Sequence, residues 1–400
     1  MVLQQVEAAQ EAASDGDWGS VVSILRQLLQ TGDYQPRQWP PEVQEAVLNL
    51  GLQVLEIGDF STRWHVAKLL PALGSIAIAP LIAILADNEV DLEERWFAGR
   101  LLGKFRGPEV IAVLVHVLQE TTDPDLAAIA AHAIASQGTV AIPALASLLE
   151  HPSACSYALH ALSQIPDAAV VPPLLAIVNH TDPEVRSAAI VTLSNFRDER
   201  VFPALASAVH DRVTIVRRAA AVGLGRWAAV HADESALLPV LAPLLKDWQL
   251  PVCEQAAIAL GRLKTEGAVK VLATELQSPL TPLSLQIALI RALSWTETPL
   301  ALSFLEQALF LLPEPAVLEI IQVLGRVPGS PLQTQAATAL LSFWAAHEAS
   351  DELAPTVLQA LAHAWELLED PRATAALNQL KAHSQPQVAL HAASALERLG

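Results

Sequence analysis

Five carboxylates crowd residues 87–94, namely Asp87, Glu89, Asp91, Glu93 and Glu94, with Arg95, Arg100 and Lys104 just after them. Oxygen ligands at that density suit a hard cation. The chain has no Gly-punctuated D-x-D-x-D-G loop there, however, and acids ahead of a helix answer its dipole, so a metal is not expected. His180 and His210 recur at the same repeat position near the ends of successive second helices, with His151 one place off. A line of imidazoles could take a metal or a carboxylated ligand, but two ligands without a converging third fall short of a metal site. A His in the last turn of a helix also simply complements its dipole. Cys155 and Cys253 lie far apart and read as small buried apolar residues rather than as attachment points for a transferred group. No Ser-His-Asp or Cys-His spacing proposes a nucleophile. No Walker A or Rossmann glycine pattern occurs either, since Gly223-Leu224-Gly225 belongs to a helix. The expectation is a chain with no catalytic residue, metal or cofactor of its own.

What positions these residues is a repeat. Asp59-Phe60-Ser61-Thr62-Arg63-Trp64-His65-Val66-Ala67-Lys68-Leu69-Leu70 returns as Asp91-Leu92-Glu93-Glu94-Arg95-Trp96-Phe97-Ala98-Gly99-Arg100-Leu101-Leu102. A weaker copy starts at Asp182-Pro183-Glu184-Val185-Arg186. The last apolar anchors of the copies are Leu70, Leu102, Ile134, Leu162, Leu193, Leu224, Leu260, Leu293 and Leu324, spaced 28 to 36 residues apart. A period in that range is the mark of stacked repeats. Each unit reads as two helices, the second with Pro in its first turn at Pro80, Pro143, Pro173, Pro203 and Pro239. No period-two run argues for a sheet. The fold class is therefore all-α, a right-handed α-α superhelix. Residues 1–57 do not follow the repeat and are expected to cap its N-terminal end. Residues 58–400 form the repeat array, regular to about 264 and degenerate from about 265. The last piece, Gln385 to Gly400, reads as a first-type helix without a partner.

Within that array the pairs Asp59/Arg63, Asp91/Arg95 and Asp182/Arg186 are spaced four apart at helix starts. Asp can cap the helix while its carboxylate meets the Arg one turn on, a structural role. Trp64 and Trp96 occupy equivalent positions on successive units. Stacked indoles filling the same gap twice are the simpler account, while Trp beside Arg is also a favoured binding combination. The candidate partner-binding residues are thus Trp64, Trp96, Arg95, Arg100, Lys104, His180 and His210. The segment 271–345 is poor in charge, which means either deep burial or an exposed apolar interface.

Forty-two acids against twenty-four bases give a net charge of −18, with no basic run, which argues against nucleic acid and against anionic membrane surfaces. Apolar runs are too broken for a membrane span, and the start lacks a signal-peptide pattern. Two cysteines give no disulfide framework. A cytoplasmic setting is expected.

The paired helices, the Asp four residues before Arg, and the Val-Arg-x-Ala-Ala run resemble HEAT repeats, over roughly residues 59–400. More narrowly they resemble the HEAT-like repeats of cyanobacterial phycobilisome-lyase-type proteins. The segments around Gly58-Asp59-Phe60 to Pro71 and Arg95 to Gly103 look closer still to a cyanobacterial HEAT protein of the IaiH type, associated with an IscA-type iron–sulfur scaffold protein. The resemblance implies a scaffold whose second helices present a concave face to another protein, an iron–sulfur scaffold protein or a phycobiliprotein, in cofactor or photosynthetic-protein assembly. It implies as an alternative a bilin lyase or lyase-like chaperone subunit, and as a weaker one a general structural adaptor. No residue matches a bilin-holding position.

Overall fold

The computed structural model describes residues 2–30, 36–231, 233–327, 329, 332–348 and 353–399. It is 78% helical, with no strand among the described residues. Contacts divide the chain into two units, Met1–Ile177 and Val178–Gly400.

The first unit opens with α1 (Val2–Ser14), α2 (Trp18–Gln30) and α3 (Pro41–Ile57), the last begun by Pro41. The repeat then sets in as α4 (Phe60–Val66), α5 (Ile78–Ala86), α6 (Leu92–Leu102), α7 (Pro108–Glu120), α8 (Pro124–Ala135), α9 (Ile142–Leu148), α10 (Cys155–Ser163) and α11 (Val171–Ala176). From α6 onward the even-numbered helices carry the anchors and pack in sequence, α6 on α8 and α8 on α10, while α5, α7 and α9 do the same, giving two layers. The second unit continues the alternation with α12 (Pro183–Leu193), α13 (Val201–Ala208), α14 (Thr214–His231), α15 (Glu234–Leu241), α16 (Leu250–Leu263), α17 (Glu266–Leu276) and α18 (Leu283–Trp295). It closes with α19 (Pro299–Ala308), α20 (Glu314–Leu324), α21 (Leu332–His347), α22 (Pro355–Leu368), α23 (Thr374–Lys381) and α24 (Pro386–Leu399). Gly400, read above as the end of the last helix, lies outside the described residues.

Local chemistry starts and spaces these helices. Asp59, Asp91, Asp123 and Asp182 each accept a backbone N–H from the first turn of α4, α6, α8 and α12, satisfying a donor that would otherwise lack a partner. The anchors Leu70, Leu102, Ile134, Leu162, Leu193, Leu224, Leu260, Leu293 and Leu324 are all buried. The residue after the anchor is small where even-numbered helices touch. A Cβ on Gly103 would stand 3.1 Å from Ala133 Cα, one on Gly225 3.2 Å from Ala259 Cα, and one on Gly261 2.7 Å from the Ala292 carbonyl oxygen. The seam between first helices is thus set by backbone approach.

One expectation fails in detail. Pro80, Pro143, Pro173 and Pro203 sit in the first turn of their helices, but Pro239 lies inside α15. Asp233 accepts the Ala236 N–H and starts that helix early, and the chain then tightens into a 3-10 segment from Ala242 to Lys246. No single helix among the described residues is long and apolar enough to cross a membrane; Phe60–Val66 and Leu70–Ala86 together have the composition but are bent by 70°.

Candidate functional site

The arginines seven residues before an anchor, Arg63, Arg95, Arg186 and Arg217, do not pair with the aspartate that opens their own helix. Asp59 is occupied by the Thr62 N–H (2.8 Å) and the Thr62 hydroxyl (2.7 Å). Arg63 instead donates across to Asp91 (3.5 Å) and Glu93 of the next unit, and back to the Glu56 carbonyl (2.8 Å). Asp182 caps Glu184 while Arg186 forms a two-pronged pair with Asp211 (2.8 and 2.9 Å) and donates to the His180 and Thr181 carbonyls. Arg217 repeats this with Asp247 (2.7 and 2.9 Å) and the Asp211 carbonyl. The within-helix pairing expected for Asp59/Arg63 and Asp182/Arg186 is therefore replaced by a ladder between units. The physical reason is competition: each aspartate faces unpartnered helix N–H groups, which hold its carboxylate away from the side chain a turn later. Arg95 belongs to the same register but donates Nε to the Leu85 carbonyl (3.1 Å) and makes no ion pair with Asp91. It lines an open cleft of about 470 Å³ with Asn88, His116, Glu120 and Asp123.

Sequence reasoning missed the rungs at Asp211, Arg217 and Asp247, although Val216-Arg217-Arg218-Ala219-Ala220 repeats Val185-Arg186-Ser187-Ala188-Ala189. The same register holds both cysteines. Cys155 precedes Leu162, and Cys253 precedes Leu260, by the seven residues that separate Arg186 from Leu193. Both are buried and free of a disulfide. The Cys253 thiol lies 3.0 Å from the Asp247 carbonyl, in the place Arg217 Nη1 takes toward the Asp211 carbonyl. Burial first, and the Asp247 charge second, raise its pKa, which makes it a poor nucleophile.

The electrostatics of the ladder follow its burial. Arg186 and the N–H of Val213 hold the Asp211 carboxyl below the usual range against a smaller burial effect. For Asp247 burial is the largest influence and pushes upward, but the hydrogen bonds from Arg217 and Gln249 outweigh it and the carboxyl is lowered. The acidic run 87–94 does not converge. Asp87 accepts the Glu89 N–H, Asp91 caps α6, Glu93 pairs with Arg63, and Glu94 is buried. Burial, then the neighbouring Glu56 charge, raise the Glu94 pKa, with Arg63 opposing them.

His180 and His210 are not equivalent in this frame. His180 stands to Arg186 as Asp211 stands to Arg217, one place beyond His210. His180 Nδ1 accepts the Asp182 N–H (3.1 Å), which makes it part of the turn into α12. Neither histidine lies in a last helical turn, because α11 ends at Ala176 and α13 at Ala208.

The aromatic residues do gather. The Arg100 guanidinium sits 4.2 Å from the Trp64 ring centre and 5.4 Å from that of Trp96. The Lys68 ammonium lies 5.3 Å from Trp64. Phe60 stacks on Trp64 at 6.0 Å, and Phe97 meets Trp96 edge-on at 5.2 Å. Trp64, Trp96 and Arg100 are half-buried, and Lys68, Phe60 and Lys104 are exposed. Lys104 borders a neighbouring cleft of about 480 Å³ with Gln44, Ile76 and Arg106. In the charge-poor segment 271–345 most apolar side chains are buried, but Leu280 (89% exposed), Leu311 (69%), Phe310 and Trp295 are not.

A family model for HEAT repeats matches residues 78–157 and 142–225. This chain thus carries HEAT repeats over residues 78–225. Its fold is the all-α HEAT-repeat solenoid: importin beta aligns over 98% of this chain and 65% of its own, at 14% identity and a TM-score of 0.56. A Kap121p mutant aligns over 100% of this chain and 53% of its own (13% identity, TM-score 0.47). An engineered protein covers 94% and 98% (21% identity, TM-score 0.40). No curated protein matches the chain by sequence.

Proposed function

We propose that the protein is a non-catalytic scaffold that binds another protein. The observation that carries this reading is how the polar residues are used. Arg63, Arg186 and Arg217 hold neighbouring units together. Trp64, Trp96 and Arg100 instead form a half-exposed cluster of residue types favoured in binding hot spots. Stacked repeats offer extended surfaces suited to such a task. The resemblance of residues 57–105 to the cyanobacterial proteins named above supports a partner engaged in iron–sulfur or bilin cofactor assembly, or in photosynthetic-protein assembly.

Purified protein mixed with phycobilin and an apo-phycobiliprotein tests the reading. Stable co-elution with a protein, without pigment transfer, is expected; covalent attachment of pigment would replace the scaffold by a lyase. An Ala substitution at both Trp64 and Trp96 adds a second check. Lost binding at an unchanged melting temperature would assign the indoles to the partner rather than to the packing of units.

A further inference from the structure

We propose that the exposed side of α4, α6, α8 and α10 binds an extended acidic segment of a partner protein, with Arg100 as the central contact. This rests on the scaffold reading above. Three observations converge on it. First, the contacts of the Arg100 guanidinium among the described residues are with the Trp64 and Trp96 ring faces. A stacked guanidinium keeps its edge N–H donors available in the planar fork that matches a carboxylate. Neither Arg100 nor Lys68 forms an ion pair among the described residues; the ion pairs of the first unit all run through Arg63.

Second, the position two residues before each anchor is occupied by Lys68, Arg100, His132 and His160 in four successive units. Lys68, His132 and His160 are exposed and Arg100 is half-buried. Beyond the first turn, α4, α6, α8 and α10 carry no carboxylate at all. In a chain of net charge −18 this column offers an acidic partner basic and imidazole side chains on helices whose later turns hold no carboxylate.

Third, the spacing suits an extended chain. Packed helices lie about 8–10 Å apart, and an extended segment advances about 3.3–3.6 Å per residue. One acidic side chain in three therefore meets one member of the column per unit. Trp64 and Trp96 supply flat apolar surface beside the ionic contacts, so the segment is held by more than screened charge.

The experiment uses the full chain and a fluorescein-labelled peptide with Glu at every third position. A Gln-for-Glu peptide of the same length is the control. Anisotropy is expected to report binding of the Glu peptide, weakened at least about tenfold by Arg100→Gln. Arg100→Lys, which keeps the charge and loses the fork, is expected to bind with intermediate strength. Circular dichroism verifies that both variants fold. Equal binding of the Gln peptide, no binding of the Glu peptide, or no effect of Arg100→Gln would overturn the inference. So would tighter, Arg100-dependent binding of phosphatidylserine vesicles or of a uridine oligonucleotide. A partner protein that co-elutes equally with wild type and Arg100→Gln removes this face while leaving the scaffold reading in place. Pigment transfer removes the scaffold reading whatever the peptide does.

Discussion

The first helices of residues 58–177 and those of residues 178–399 share one register, but the acids that pair with its arginines are exposed in the first region and buried in the second. In the second region Arg217 and Asp247 are each only 7% exposed along their side chains, and Arg186 and Asp211 14% and 15%. In the first, Arg63 is 10% exposed, but its partners Asp91 and Glu93 are 62% and 45% exposed. The lesson concerns what remains when one partner is lost. A buried carboxylate left behind is an uncompensated charge, while an exposed one is rehydrated.

The largest effect that would test this contrast is Arg217→Ala, which should destabilise by about 3–5 kcal/mol because Asp247 is stranded. Urea titration measures the loss, and hydrogen exchange should locate it in α14 and α16. A cost under about 1 kcal/mol, the scale of an exposed pair, would erase the distinction. Next come the glycines. Gly261→Ala drives a Cβ into the Ala292 backbone and should cost about 1–3 kcal/mol. Gly99→Ala meets side chains only at 3.5 Å and should stabilise by up to about 1 kcal/mol, the helix preference for Ala over Gly. Equal signs at the two positions would mean that the seams are alike. Smaller still, Arg63→Ala should cost about 1 kcal/mol or less, since its ionic partners return to water.

In their pH dependence the two regions should differ in sign. Asp211 and Asp247 have lowered pKa values in the folded state. Their stabilisation is present above the unfolded value of about 3.9 and is lost as pH falls through the folded values. Glu94 is raised, so its contribution is greatest when protonated and declines as pH climbs from about 4.3 through the folded value. Glu94→Gln should accordingly stabilise at pH 8 and change little at pH 4. Asp211→Asn should destabilise at pH 8 and much less at pH 2. Thermal melts at these pH values measure both, and a shared sign would sink the contrast.

Much of this was legible in the residues. The anchors from Leu70 to Leu324 have a period, and a period needs no coordinates to be read. The capping by Asp59, Asp91 and Asp182 followed from type and place. What escaped were partners across units. Four residues along a helix is visible in a string, whereas the distance from Arg186 to Asp211 depends on the length of the intervening second helix and its turns. His180 and His210 were placed in one register for the same reason: counting from the second helix hides a one-residue difference that counting from the arginines exposes. The gathering of Trp64, Trp96 and Arg100 was half visible. The matching indoles showed in the repeat, but Arg100 reaching back over Trp64 of the preceding unit did not.

Cys253 has a mechanical consequence. The two buried rungs Arg186–Asp211 and Arg217–Asp247 tie three successive units with directional bonds that resist sliding. Where Cys253 takes the arginine's place, the seam from α16 to α18 keeps close backbone packing and an exposed Lys264–Glu297 pair at 2.9 Å, but no buried ionic tie. Stretched from its ends, the chain should part there sooner than at the seam before it.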